Sequence, residues 1–192
     1  MHYTENCTYH IYNRSNQILF NNRENYLFFI RKMRRYILPF ADIISYCLMP
    51  NHFHIIINVN SQGADFFTNE RVKELQYIAR AIGTVQSSYS QALNIQNGTK
   101  GSVFSHRVKA KILNEAKNDY ALKCFLYVHQ NPLTAKLVEK IEDWEFSSYP
   151  EYINIRKGTL VNVKLGCEIF NIDQNQILYL TNNMIQEDLD LD

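Results

Sequence analysis

Tyr46-Cys47-Leu48-Met49-Pro50-Asn51-His52-Phe53-His54-Ile55-Ile56-Ile57 is the stretch on which the fold turns. It joins two β-prone runs, residues 42–49 and 52–60, across Pro50-Asn51. Proline and asparagine between two apolar runs make a turn, so the segment reads as a β-hairpin. A strand sends alternate side chains to one face. His52 and His54 therefore point the same way, with Cα atoms roughly 6–7 Å apart, while Phe53, Ile55 and Ile57 point into a core. Two imidazoles at that spacing can share a metal ion, although a strand also tolerates histidines with no such role.

Working outward, residues 9–14 alternate and predict a first strand. Residues 23–38 place Tyr26, Phe29, Ile30, Met33 and Ile37 at helical spacing, with Arg31, Lys32, Arg34 and Arg35 off that stripe, and Pro39 ends the helix. Residues 69 to about 93 predict a long helix with Gly83 as its weak point, followed by a loop over 97–101. Residues 108–113 predict a strand carrying Lys109 and Lys111. Asn114 then caps a helix from 115 to about 130, which Asn131-Pro132 breaks. This order of elements predicts an α+β layer with an antiparallel sheet. The stretch after Pro132 is mixed and fits no single period.

Whole-chain properties narrow the class. A chain of 192 residues fits one domain with a short extension, and 46% apolar with 13% aromatic residues excludes a disordered one. No run of uncharged apolar residues is long enough for a membrane helix, and the first residues do not read as a signal peptide. Cys7, Cys47, Cys124 and Cys167 form no C-x-x-C pair, which argues against a zinc ribbon or a disulfide framework. A cytoplasmic setting is the expectation. The net charge of +1 conceals +7 over residues 1–167 and −6 over 168–192. A basic body suits a polyanion, with the acidic end either masking it or merely solubilising the chain.

A second informative segment is Cys124-Phe125-Leu126-Tyr127-Val128-His129-Gln130-Asn131-Pro132. On a helix Tyr127 and Asn131 share a face, setting a phenol beside a carboxamide oxygen able to ligate a divalent ion. Among 13 tyrosines, packing is the competing role.

The two segments together resemble the single-tyrosine HUH transposases, above all the branch associated with repetitive extragenic palindromes. Five blocks carry the resemblance, in order, over roughly residues 8–152. They are Tyr9 to Asn16, with Ser15 in place of the family's glycine, then Met49 to His54, Gly101 to Lys109, Tyr127 to Pro132, and Leu137-Val138 through Trp144 to Tyr149. The resemblance implies a ferredoxin-like HUH nuclease domain over 1–152; residues 153–192 lie outside it and read as an extension with an acidic end. It implies His52 and His54 as metal ligands, Asn131 as third ligand ahead of Gln130, and Tyr127 as nucleophile. The implied substrate is hairpin-forming single-stranded DNA, cut and rejoined through a 5′-phosphotyrosine, with a monomer favoured and a homodimer left open.

The chemistry suits those groups. A cation beside a phosphodiester offsets charge in the transition state. Two imidazoles and an amide oxygen accept Mg²⁺ or Mn²⁺. A phenol, with an ordinary pKa of about 10, is a nucleophile and also a workable leaving group. Arg14, Arg107, Lys109 and Lys111 are candidates to hold phosphates, and Asn13 and Asn16 to read base edges. Arg31, Arg34 and Arg35, with Lys32, form the densest basic cluster; a solvated charged face is the plainer reading. Two alternatives stay open: a nucleic-acid-binding protein of the same fold that does not cleave, and a metal-dependent hydrolase with a water nucleophile.

Overall fold

The computed structural model describes residues 2–69, 72–114 and 120–184. In chain order the elements are β1 (Thr8–Arg14), α1 (Arg23–Tyr36), β2 (Ala41–Met49), β3 (His52–Val59), α2 (Ser61–Ala64), β4 (Phe66–Asn69), β5 (Val72–Gln76), α3 (Tyr77–Asn97), β6 (Lys109–Ile112), α4 (Tyr120–Thr134), α5 (Tyr149–Tyr152), α6 (Val163–Phe170) and α7 (Ile177–Asn183). Four strands form one sheet in the order β2-β3-β1-β6, antiparallel at every pairing. This is the predicted α+β, ferredoxin-like arrangement, with a small β4–β5 hairpin inserted before α3.

The β2–β3 hairpin closes through Pro50-Asn51, with Met49 paired to His52. Neighbouring chain holds the turn: the Pro50 carbonyl accepts from Leu19 N (2.7 Å) and Phe20 N (3.1 Å), and the Asn51 carbonyl from Ser15 N (2.8 Å). Ser15, standing where the resembled family carries glycine, keeps ordinary negative φ and is buried.

The sheet is covered on both faces. On the first, Tyr9, Ile11, Phe53, Ile55 and Ile57 pack with Phe29 and Met33 of α1 and with Ile82, Val85 and Tyr89 of α3. On the second, Ile44, Cys47, Met49 and Ile56 pack with Phe125 and Val128 of α4, and with Tyr152, Phe170 and Ile177. A register shift between Ile43 and Ser45 resets the alternation, so that Tyr46 and Leu48 rejoin Ile43 on the first side. Each fully buried side chain of this size contributes about 1.5–3 kcal/mol. Residues from the extension therefore belong to the same apolar cluster as α4. Its acidic residues from 187 onward lie outside the described residues.

Two expectations from the sequence are corrected. The helix expected from residue 69 begins only at Tyr77, after β4 and β5, and runs past Leu93 to Asn97. The Gln76 side chain explains the boundary: its oxygen accepts from Tyr3 N (2.7 Å) and its nitrogen donates to Tyr3 O (2.6 Å) and Ala64 O (2.7 Å). That clamps an extended segment where periodicity alone suggests a helix. Gly98, left-handed at φ 64°, caps the far end. Second, α4 does not break before Asn131-Pro132 but runs through Pro132 to Thr134. Proline is tolerated in this last turn because the chain beyond it closes on the helix, Ala135 N donating to Asn131 O (2.9 Å) and Leu137 N to Pro132 O (2.9 Å). The expected start at residue 115 lies outside the described residues, and the Asn114 side-chain oxygen accepts from Thr8 N (2.5 Å).

Among the described residues, no helix is long and apolar enough to cross a membrane. The four cysteines are free.

Candidate active site

The register of β1 against β3 decides what shares a face. Arg14 pairs with His52, Tyr12 with His54 and His10 with Ile56. The histidine face of β3 is therefore continued by the even-numbered side chains of β1, and α4 lies over it. Tyr127, half-buried on α4, stands perpendicular to His54 with ring centroids 5.5 Å apart. Tyr12, Asn13, Arg14, His52, His54, His106, Lys109 and Tyr127 line a pocket of about 180 Å³.

His54 is buried at 5% exposure, and its Nδ1 lies 2.9 Å from His10 Nε2. Its Nε2 is enclosed without a hydrogen-bond partner among the described residues. His52 Nδ1 is 2.8 Å from Asn51 Oδ1, so that nitrogen carries the donated hydrogen and Nε2 keeps its lone pair. Asn131 Nδ2 donates to Tyr127 O (2.8 Å), and Asn131 stands close enough to His52 to oppose the lowering of its pKa. The predicted set of His52, His54, Tyr127 and Asn131 is thus gathered at one place within a single chain.

Burial and like charge keep these imidazoles neutral. His54 is held well below its ordinary value by burial, then by His10 and His52. His52 is lowered by burial, partly opposed by Asn131, with Arg14 adding to the lowering. His10 is pushed down to about 3 by burial and, secondarily, by Lys111. Neutral imidazole is the form that binds a metal. No three His, Cys, Asp or Glu side chains converge on a metal position among the described residues. The donors that fit a divalent ion are two imidazole nitrogens and an amide oxygen, and the partnerless His54 Nε2 is the feature that asks for one.

The other candidates are dispersed. Arg14 and Lys109 border the pocket, and Arg107, Lys109 and Lys111 line an adjoining groove of about 1070 Å³ between α3 and β6. Asn13 edges the pocket, but its amide donates to Gln86 Oε1 (2.7 Å) and His106 O (3.1 Å), bracing β1 against α3. Asn16 is exposed in the loop after β1, outside the pocket. Arg31, Arg34 and Arg35 sit on α1, across the sheet from the histidines. There Arg34 donates to Thr159 O (3.1 Å), and Arg31 and Arg35 lie over Phe28 and Tyr36. Gln130, the lesser ligand candidate, instead donates to Thr181 O (2.5 Å) and Met184 O (3.0 Å), tying α4 to the end of α7. Asp42 accepts from Asn162 and Asp65 terminates α2, so neither carboxylate reaches the pocket.

Sequence reasoning does not single out His10, Tyr12 or His106 as site residues. Alternation along β1 puts His10 and Tyr12 on one face, but only the pairing with β3 reveals that it is the histidine face.

No known family model matches the chain. Over 126 residues, 57% of the chain, it is 29% identical to a DNA polymerase of Pyramimonas orientalis virus, of which the match spans only 10%. Among solved structures it shares the fold of a REP-associated tyrosine transposase bound to a REP hairpin, with a TM-score of 0.59 over 84% of this chain and 92% of that one, at 16% identity.

Proposed function

We propose that this chain is a transposase-type nuclease and strand transferase that acts on single-stranded, hairpin-forming DNA, is metal-dependent, and uses Tyr127 as nucleophile. The observation that carries the reading is the meeting of Tyr127 with His54 over one pocket, their rings perpendicular and 5.5 Å apart, with every group contributed by one polypeptide. The fold shared with a tyrosine transposase agrees with it, and the hairpin bound to that protein suggests the form of the substrate.

His52 Nε2, His54 Nε2 and the Asn131 amide oxygen would hold Mg²⁺ or Mn²⁺, which when bound polarises the scissile phosphate and offsets transition-state charge. The donors bring no negative charge, so the ion's full charge faces the phosphate. Tyr127 Oη attacks phosphorus and the bond from phosphorus to O3′ breaks. The phenol loses its proton and the departing O3′ gains one, giving a 5′-phosphotyrosine and a 3′-hydroxyl. Because the phosphoester is retained, a 3′-hydroxyl can reverse the step without a nucleotide. Arg14 and Lys109 at the rim pair with flanking phosphates. The groove bearing Arg107 and Lys111 carries the strand away.

The test is mass spectrometry of the protein incubated with Mn²⁺ and labelled hairpin oligonucleotides. A nucleotide on Tyr127, absent from Tyr127→Phe, is expected. Cleavage without an adduct would transfer the reading to a water nucleophile, and binding without cleavage to a nucleic-acid-binding protein. Equal adduct in both proteins would remove Tyr127 from the mechanism.

A further inference from the structure

His10 is left without a task by that mechanism, yet its placement is specific. Its ring is fully enclosed on β1, nearly coplanar with His54 and edge to edge with it (centroids 5.1 Å, 18°; Nε2 2.9 Å from His54 Nδ1), and lies alongside Tyr12 (4.9 Å, 19°). Neither His10 Nδ1 nor His54 Nε2 has a hydrogen-bond partner among the described residues. Two neutral imidazoles carry two N–H groups between them. One N–H lies between the two rings and joins them. The other sits on His54 Nε2 if His10 donates, or on His10 Nδ1 if His54 donates. Only in the second arrangement does His54 Nε2 present a bare lone pair to the pocket.

We propose that His10 is a positioning residue: by accepting the hydrogen bond of His54 Nδ1–H, it fixes the tautomer and ring plane in which His54 Nε2 binds the divalent cation. The proposal rests on the metal-site reading above and deepens it. Metal-bound histidines commonly donate their other N–H to a carboxylate, carbonyl or water, and such partners hold the ring for the metal. Here a neutral ring takes that place, which keeps the donor set free of negative charge. With the cation held at His54 Nε2, the pair would keep its two protons on His54 Nδ1 and His10 Nδ1. The antiparallel register makes this reach available, since His10 stands opposite Ile56, the next residue on the same face of β3 as His54.

The test uses the full chain and Mn²⁺ affinity, read by the loss of the free-ion paramagnetic resonance signal. His10→Phe removes the acceptor and is expected to weaken Mn²⁺ binding about 10–100-fold, whereas His10→Gln, whose amide oxygen can accept from His54 Nδ1–H, stays within about threefold of wild type. Should His10→Phe bind within about twofold of wild type while His54→Ala loses the ion, His10 is packing alone and the proposal is overturned. Should the wild type take up no Mn²⁺, or His54→Ala bind normally, the metal-site reading itself has failed. A second measurement needs no substitution: nitrogen NMR of the histidine rings with Zn²⁺ as a diamagnetic probe. Hydrogen on His10 Nδ1 in the loaded protein, with Nε2 bare toward His54, supports the proposal, and hydrogen on His10 Nε2 overturns it.

Discussion

The two faces of the central strands β1 and β3 are built from alternate residues of the same segments and have opposite characters. Toward α1 and α3, Tyr9, Ile11, Phe53, Ile55 and Ile57 meet other apolar groups, and the one polar neighbour, Asn13, is satisfied by Gln86 and a carbonyl. Toward α4, His10, Tyr12, His52 and His54 are brought together and two ring nitrogens stay without partners among the described residues. A buried polar atom left unpaired costs about 1–3 kcal/mol. Those two unpaired nitrogens cost stability, and the proposed cation site would give one of them a partner. The packed face and the face proposed for chemistry are separated by a step of one residue along a strand.

Substitutions on the two sides should separate in the same way. On the α4 side, Tyr127→Phe is expected to lower strand cleavage by about 10⁴-fold or more, above about 5 kcal/mol in barrier, with a melting temperature that falls far less than that of a core truncation. A parallel fall in melting temperature would erase the separation. On the other side, Phe29→Ala should cost about 3–5 kcal/mol of stability, read from the denaturant midpoint, while the folded fraction keeps its cleavage rate.

Acid sensitivity should arise on the α4 side. His129, enclosed there with Nε2 2.8 Å from Ser148 Oγ, is pushed down to about 3 by burial, against an ordinary 6.5. The unfolded chain therefore takes the proton at higher pH. This contribution is intact above about pH 6.5 and falls by up to about 1.4 kcal/mol per unit as the pH drops toward 3. Denaturant midpoints between pH 7 and 5 measure it, and His129→Gln should flatten the slope. The smallest effect is electrostatic. Lys109→Ala with Lys111→Ala should reduce the salt dependence of single-strand binding by about 0.7 in log–log slope for each phosphate no longer neutralised. Arg31→Ala with Arg35→Ala, on the far side, should leave that slope unchanged.

Legibility follows the range of the interactions. The hairpin around Pro50-Asn51, the apolar stripe of α1 and the shared facing of His52 and His54 depend on neighbours in sequence, and these can be read directly. The extended segment before Tyr77 cannot be read so, because Gln76 is clamped by Tyr3, far away in the chain. Pro132 misleads for a related reason: its helix turn is closed by chain that follows it. At the site, local spacing pairs Tyr127 with Asn131, but His10 needs the β1–β3 register, which alternation cannot supply. The basic cluster at Arg31, Arg34 and Arg35 is a true surface feature, yet density of charge does not reveal which side of a sheet it occupies.

Because imidazoles, carboxamide and phenol all come from one polypeptide, the proposed nuclease would complete its site without a second copy of itself. Specific activity should hold constant on dilution, and a Tyr127→Phe chain mixed with a His54→Ala chain should show no complementation. Each molecule would stand or fall by its own strand and helix.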